Sequence, residues 1–406
     1  MLKLRDYQEK LSDKGKNILD KNNFLALFME VRTWKTITSL EIMKKFWAKK
    51  VLFVTKKKAI SSINADYQHY SDTYSMQIIN YESIHKITDK DFDFLVLDES
   101  HKMATFPKPN KVYRNIKKRF WSLPIMLLSW TPTPESFSQF FHQFFIQNKW
   151  VWSEYTNFYK WAKTFVKVTQ FKVHWNFIND YSVANYDRIM EDIWHLIITR
   201  TQKQAWFTTE VKEKVLFVEM KPHIYSLVER LKKDKIIEWK NDEVLLADTK
   251  VKEMNKIHQL FSWTIRLECW TTKILDTTKW DFIKKTFNWR KIWIFYNFKA
   301  EKELLKRVYW ANITDDLDEF NETDKNIMLQ VVSGREWISL KQADFLVYYN
   351  ISFSAVSYWQ SRDRMTTINR KKNTIYWIFS KDSLDEDIYR AVQSKKSFTT
   401  KIYERC

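Results

Sequence analysis

Glycine is almost absent from this chain. Two glycines and 20 tryptophans stand in 406 residues, where average usage of about 7% supplies roughly 28 glycines. Turns need residues that accept positive φ, and tryptophan does not. The two counts together come close to an ordinary glycine content plus a few genuine tryptophans. Most of the tryptophans are therefore expected to be glycines in the cell: some bacterial lineages read UGA as glycine, and reading that codon as tryptophan produces this text. Cysteine is as scarce. Cys269 and Cys406 are the only two, which excludes a disulfide framework and a cysteine-based zinc site. No run of 18 apolar residues occurs, so no membrane-spanning helix is expected. Met1-Leu2-Lys3-Leu4-Arg5-Asp6 has no signal-peptide pattern, and a soluble, cytoplasmic chain is expected. Acidic residues are in deficit, 49 against 68 basic ones, for a net charge of +19. That balance suits a polyanionic partner such as nucleic acid, although an AT-rich genome that inflates lysine gives the same excess.

What is present begins with Glu30-Val31-Arg32-Thr33-Trp34-Lys35-Thr36. It follows the apolar run Phe24-Leu25-Ala26-Leu27-Phe28 and precedes the helix-like Ile37–Met43. A strand, a tight turn ending in Lys-Thr and a helix make the layout of a phosphate-binding loop. Backbone N–H groups at the helix start point at phosphate oxygens. Lys35 supplies a point charge for the outer phosphates, and the Thr36 hydroxyl can hold Mg²⁺. Position 34 calls for glycine, because the backbone must approach the phosphates closely. Ser129-Trp130-Thr131-Pro132 and Gly334-Arg335-Glu336-Trp337-Ile338-Ser339 carry the same misfit.

The second anchor is Phe92-Asp93-Phe94-Leu95-Val96-Leu97-Asp98-Glu99-Ser100-His101, an apolar strand ending in two carboxylates. Asp98 fits a Mg²⁺ ligand and Glu99 a group that polarises the attacking water. His101 is either a coupling residue or a structural histidine. Gln8, ahead of the loop, has the paired donor and acceptor that suit an adenine edge. Lys56-Lys57-Lys58 follows the buried strand Val51–Thr55 and either grips a nucleic-acid backbone or forms a solvated charge run. The aromatics between Phe137 and Trp161 are either core or a base-stacking surface, with core the more frequent use of such a run. Ile197–Lys203 reads as a crossover into a second unit. Strands are expected at 215–220, 290–298, 327–332 and 345–349, alternating with helices; residues 221–260 read as helical with no strong chemistry. The alternation argues parallel sheets with crossover helices. Tyr358–Met365 places Gln360, Arg362 and Arg364 on one helix, where a guanidinium can act on a γ-phosphate.

Taken in order, Tyr7-Gln8, Arg32–Thr36, Asp98–His101, Ser129–Pro132, Gly334–Leu340 and Gln360–Arg364 resemble the motifs of a superfamily 2 helicase of the compact Swi/Snf-like type. Arg200-Thr201-Gln202-Lys203 is similar to the family's crossing segment. The resemblance implies an α/β fold of two tandem RecA-like (phosphate-loop ATPase) lobes, residues 1–205 and 206–406, each a mostly parallel sheet flanked by helices. It implies ATP in the cleft between them, Mg²⁺, and DNA, double- or single-stranded, along which a monomer moves. Gln8, Arg32, Thr33, Trp34, Lys35 and Thr36 would contact nucleotide, with Thr36 and Asp98 on the metal and Glu99 activating water. Gly334, Gln360, Arg364 and Arg362 would complete the site; the family's last arginine falls on Thr367, so the finger is left open among Arg362, Arg364 and Arg370. Two other readings stand beside this one: a nucleic-acid-binding module without ATPase activity, favoured if Trp34 is literal, and an RNA helicase.

Overall fold

A computed structural model of the chain describes residues 4–89, 91–147, 151–173, 176–205, 211–238, 243–331, 342–354, 357–358, 361 and 374–394. The chain divides into two compact units near residues 208–209. Each unit is built on one six-stranded, wholly parallel sheet with helices packed against it. The architecture is that of two tandem RecA-like lobes.

The first lobe contains α1 (Asp6–Asn22), β1 (Phe24–Met29), α2 (Lys35–Lys45), β2 (Lys50–Thr55), α3 (Ile60–Tyr67), β3 (Ser75–Asn80), β4 (Phe94–Asp98), α4 (Lys111–Phe120), β5 (Ile125–Ser129), α5 (Phe140–Phe144), α6 (Phe158–Phe165), the hairpin β6 (Thr169–Val173) and β7 (Asn176–Asp180), α7 (Tyr186–Ile193) and β8 (Ile197–Arg200). The sheet order is β3-β2-β4-β5-β1-β8. Its central strands are continuous apolar runs because both faces are covered. Alternate side chains enter different cores. Ala26, Phe28, Leu52, Val54, Leu95 and Leu97 face the aromatic core under α4 to α7. Leu25, Leu27, Val51, Phe53, Phe94 and Val96 face the core under α1 to α3.

Three sequence expectations are refined here. Ile197–Arg200 is a full member of the first sheet, paired with β1 from Ala26↔Ile197 to Met29↔Arg200. Phe137, Phe140, Phe141, Phe144, Phe145 and Phe158 are buried, so most of that aromatic run is core, while Tyr159 is exposed. Lys56 is buried with its ammonium 3.8 Å from Glu99 Oε1, while Lys57 and Lys58 are exposed. One true glycine shows what glycine does in this fold. A Cβ on Gly15 would lie 2.7 Å from Ile42 Cδ1 and 3.3 Å from Leu25 Cδ2, so its absence lets α1 seat against α2 and β1.

The second lobe contains β9 (Lys212–Val218), α8 (Pro222–Asp234), the hairpin β10 (Ile236–Glu238) and β11 (Val244–Leu246), α9 (Lys250–Phe261), the hairpin β12 (Thr264–Arg266) and β13 (Thr272–Ile274), α10 (Thr278–Thr286), β14 (Ile292–Tyr296), α11 (Lys299–Tyr309), β15 (Ile313–Thr314), α12 (Leu317–Glu322), β16 (Asn326–Gln330), β17 (Phe345–Tyr348), β18 (Thr374–Ser380) and α13 (Leu384–Ser394). The order is β15-β16-β14-β17-β18-β9. Residues 221–260 hold a hairpin as well as helices, which helical periodicity alone misses. No helix among the described residues is long and apolar enough to cross a membrane.

This lobe buries four ionisable side chains together: His258, Lys279, Glu301 and Asp385. His258 Nε2 lies 3.6 Å from Asp385 Oδ1, and Lys279 Nζ lies 3.8 Å from Asp385 Oδ2. Glu301 accepts from the Asn297 and Phe298 N–H groups at 2.7 and 3.0 Å and from Asn350 Nδ2 at 2.8 Å. Burial nevertheless pushes its carboxyl up to about 7, outweighing Asn350, the two N–H groups and Lys279. The folded carboxyl therefore holds its proton more tightly than the unfolded one. The penalty for ionising it is absent below its ordinary value of 4.5 and grows as pH rises to about 7. Glu301→Gln is expected to leave stability unchanged near pH 4 and to raise it at pH 8 by up to about 3 kcal/mol. Asn350 Oδ1, buried without a hydrogen bond, can turn to accept the new amide. Denaturant melts at the two pH values check this; an equal shift at both rejects it.

Candidate nucleotide site

The site is built at the carboxyl ends of neighbouring parallel strands in the first lobe. The phosphate-loop segment follows β1 and the paired carboxylates follow β4, with β5 between the two strands. Two strand spacings, about 10 Å, separate the loop from the carboxylates.

The loop is held from several sides. Thr33 Oγ1 donates to the Glu30 carbonyl at 2.7 Å, and Tyr7 OH donates to the Thr33 carbonyl at 3.2 Å. The Glu30 carboxylate accepts from the Gln202 N–H at 2.6 Å, and the Glu30 N–H donates to the Arg200 carbonyl at 2.9 Å. The segment after β8 therefore anchors the loop after β1. Ser39 Oγ donates to the Thr36 carbonyl at 2.7 Å in the first turn of α2. Arg32 and Trp34 both adopt left-handed backbone, with φ of 64° and 52°. Trp34 is the residue immediately before α2, and its ring lies 3.6 Å under the Arg5 guanidinium.

The carboxylate side is equally specific. Thr55 Oγ1, at the end of β2, donates to Asp98 Oδ2 at 2.7 Å. Tyr81 OH donates to the Asp98 carbonyl at 2.6 Å. Burial raises the Asp98 carboxyl, and the Lys35 ammonium, the largest opposing influence, pulls it back down. The Lys35 charge thus reaches Asp98 across β5. Glu99 sits at φ 53°, a left-handed position that costs a non-glycine residue energy. Its carboxylate is 3.3 Å from His101 Nδ1 and 3.8 Å from Lys56 Nζ. His101 Nδ1 is also 3.4 Å from Ser129 Oγ at the end of β5. His101 therefore stands between the carboxylate segment and the next loop.

Lys35, Thr36, Asp98 and Glu99 thus lie at one end of the sheet. Gln8 does not have both faces of its amide free: its Oε1 accepts from the Arg5 N–H at 2.9 Å, at the start of α1. Gly334, Gln360, Arg362 and Arg364 lie outside the described residues. Thr55 and Tyr81 were not singled out from sequence; Thr55, the last residue of an apolar strand, carries the only hint. Among the described residues no three His, Cys, Asp or Glu side chains group as a metal cage. One carboxylate and one hydroxyl suit Mg²⁺, which keeps waters and phosphate oxygens as its other ligands.

Left-handed backbone recurs at tryptophan across the described residues. Trp34, Trp47, Trp152, Trp263, Trp270 and Trp289 are six of the eleven non-glycine residues with positive φ. A random draw from this composition would place fewer than one tryptophan there. Trp47 directly follows Phe46, the residue that caps the end of α2. Its N–H donates to the Lys44 carbonyl at 3.1 Å, and the Ala48 N–H to the Met43 carbonyl at 3.2 Å. That bond pair is the Schellman motif, whose left-handed residue is usually glycine. Trp47, Trp270 and Trp289 are 83, 73 and 94% exposed. Trp130 is buried and is not among the positive-φ residues, and Trp337 lies outside the described residues.

No protein-family model and no curated protein matches the chain. Among solved structures, the chain is similar to the Sulfolobus solfataricus SWI2/SNF2 ATPase core in complex with dsDNA. The identity is 14% and the TM-score 0.43, over 99% of this chain and 93% of that one.

Proposed function

We propose that this protein is an ATP-dependent DNA translocase or helicase, and that in the cell it carries glycine at Trp34 and at the other left-handed tryptophans. The observation that carries the first part is the pairing of a Lys-Thr phosphate loop after β1 with the Asp98–Glu99 pair after β4, brought to one sheet end. The observation that carries the second is the concentration of tryptophan at positive φ. With glycine at 34, the loop N–H groups and Lys35 would hold the phosphates of ATP, and Thr36 and Asp98 would hold Mg²⁺. The bound metal supplies charge that offsets the phosphates. Glu99 then takes a proton from the attacking water, and His101 and Lys56 keep its carboxylate in place. Gly334, Gln360, Arg362 and Arg364 are proposed as the second lobe's nucleotide contacts, on the strength of the resemblance. The charge of +19 suits a tracking protein whose contacts go mainly to phosphates.

The test is ATP hydrolysis by the glycine-bearing protein with DNA or RNA added, at several salt concentrations. DNA should stimulate more than RNA, and DNA affinity should fall steeply between low and physiological salt. Stimulation by RNA alone makes the protein an RNA helicase, and flat salt dependence removes the tracking mechanism. A second reading rests on Trp34 as written: an indole beside the phosphate loop leaves a nucleic-acid-binding module without hydrolysis. The codons at 34, 47, 270 and 289 separate the two, because UGG at those positions supports only the module.

A further inference from the structure

The first lobe holds a cavity of about 180 Å³ between α4, α5 and the start of α6. The rings of Tyr113, Phe141, Phe145, Phe158 and Tyr159 wall it, and Tyr159 is exposed, so the cavity reaches the surface. A dry cavity of about 150 Å³ takes one benzene ring, so this one has room for a ring with a short substituent. Among the described residues no tryptophan and no carboxylate lines it. None of its lining residues belongs to the candidate nucleotide site.

Two polar side chains in the lining are short of partners. Lys117, in the last turn of α4, donates to the Phe145 carbonyl, and its ammonium lies 3.6 Å from the centre of the Phe145 ring. Among the described residues no carboxylate pairs with it. Burial drops its amine to about 8, because the charge there lacks a nearby anion. His142, on α5, is 3% exposed. Its Nδ1 is 2.5 Å from the Thr105 carbonyl. Burial drops the imidazole to about 4, so the ring is neutral and its Nδ1–H is the donor to that carbonyl. Nε2 is then an acceptor, and among the described residues nothing donates to it. The Lys117 charge also reaches His142. The cavity therefore offers apolar walls for a ring, a cation without a counter-charge and a buried acceptor without a donor. We propose that it binds a small aromatic carboxylate that bears a phenol-type O–H or an indole-type N–H. The ring packs among the aromatic walls, the carboxylate pairs with Lys117, and the O–H or N–H donates to His142 Nε2. This site lies apart from ATP hydrolysis and does not rest on that reading.

The experiment compares three probes by ligand-observed NMR: para-hydroxyphenylacetate, phenylacetate, which lacks the hydroxyl, and tyrosol, which lacks the carboxylate. Expected for the first is a Kd on the order of 1 mM. Loss of the hydroxyl should weaken binding about fivefold and loss of the carboxylate about tenfold. Lys117→Met should erase the preference for the carboxylate, and Lys117→Arg should keep it. His142→Phe should erase the preference for the hydroxyl alone. Melting temperatures show whether each variant is folded; should one fail, the three probes on the parent protein still decide. No binding at about ten times the expected Kd, or equal binding of all three probes, overturns the proposal. Trp152 stacks against Phe141 with ring centroids 6.1 Å apart and stands at positive φ, so the tryptophan- and glycine-bearing proteins are both assayed. Binding by the tryptophan-bearing protein alone overturns the proposal for the protein in the cell. With the site upheld, a short peptide ending in tyrosine separates its sources: tighter binding than the free acid identifies a chain end, and weaker binding a small molecule.

Discussion

Glycine at position 34 is expected to raise the rate of ATP hydrolysis by at least about a thousandfold over tryptophan at the same position. The backbone before α2 is held from several sides. Thr33 is tied to Glu30 and Tyr7, Glu30 is tied to the segment after β8, and α2 begins at Lys35. Position 34 is the last residue before that helix, where the proposed nucleotide site calls for a backbone that phosphates can approach closely. Left-handed backbone costs an ordinary residue about 1–2 kcal/mol and glycine almost none. The indole also lies against Arg5 and the apolar cluster under α1, so removing it also removes those contacts. The measurement is steady-state ATPase on the two proteins made side by side, with circular dichroism to show that both are folded. Equal rates mean that the indole lies clear of the nucleotide. Exposed Trp47, Trp270 and Trp289 add a stability readout, since glycine there relieves strain without removing core. Buried Trp152 and Trp263 differ: they donate to Asp192 at 2.7 Å and Ser380 at 3.0 Å, so glycine there exchanges strain for lost contacts.

The second large effect is expected at Glu99. In the glycine-bearing protein, Glu99→Gln should lower kcat by about 10²–10⁴ while nucleotide binding persists. Glutamine has the same shape, so the left-handed turn at φ 53° is equally strained in both proteins. Only the proton acceptor is lost. His101 and Lys56 flank the carboxylate and keep it aimed after Asp98 has been fixed by Thr55. Asp98→Asn is the useful contrast: it should weaken Mg²⁺-dependent nucleotide binding as well as turnover. Single-turnover hydrolysis with nucleotide binding measured separately distinguishes the two. A glutamine variant within about threefold of the parent would assign the base elsewhere.

Much of the candidate site was legible because its residues are local in sequence. Lys35 and Thr36 open a helix after an apolar strand, and Asp98 and Glu99 end another, so a linear pattern holds each motif. The Gln8 reading shows where that reasoning thins: the same amide that suits adenine also accepts the Arg5 N–H at the start of α1. Thr55 and Tyr81 escaped it, since they act on Asp98 from 43 and 17 positions away. The cluster of His258, Lys279, Glu301 and Asp385 escaped it too, being gathered from four separate helices.

By itself the sequence determined the parallel α/β class, the order of the motifs and the anomaly of tryptophan at glycine positions. These follow from hydrophobic period and from composition, which need no third dimension. Tertiary structure decided the rest. Strand order sets β5 between β1 and β4, so the Lys35 charge reaches Asp98 although the two are 63 positions apart. Burial decided that most of the aromatic run is core and that Lys56 serves Glu99. Backbone conformation decided which tryptophans stand where only glycine is unstrained, because φ is fixed by the surrounding fold and not by the residue written there.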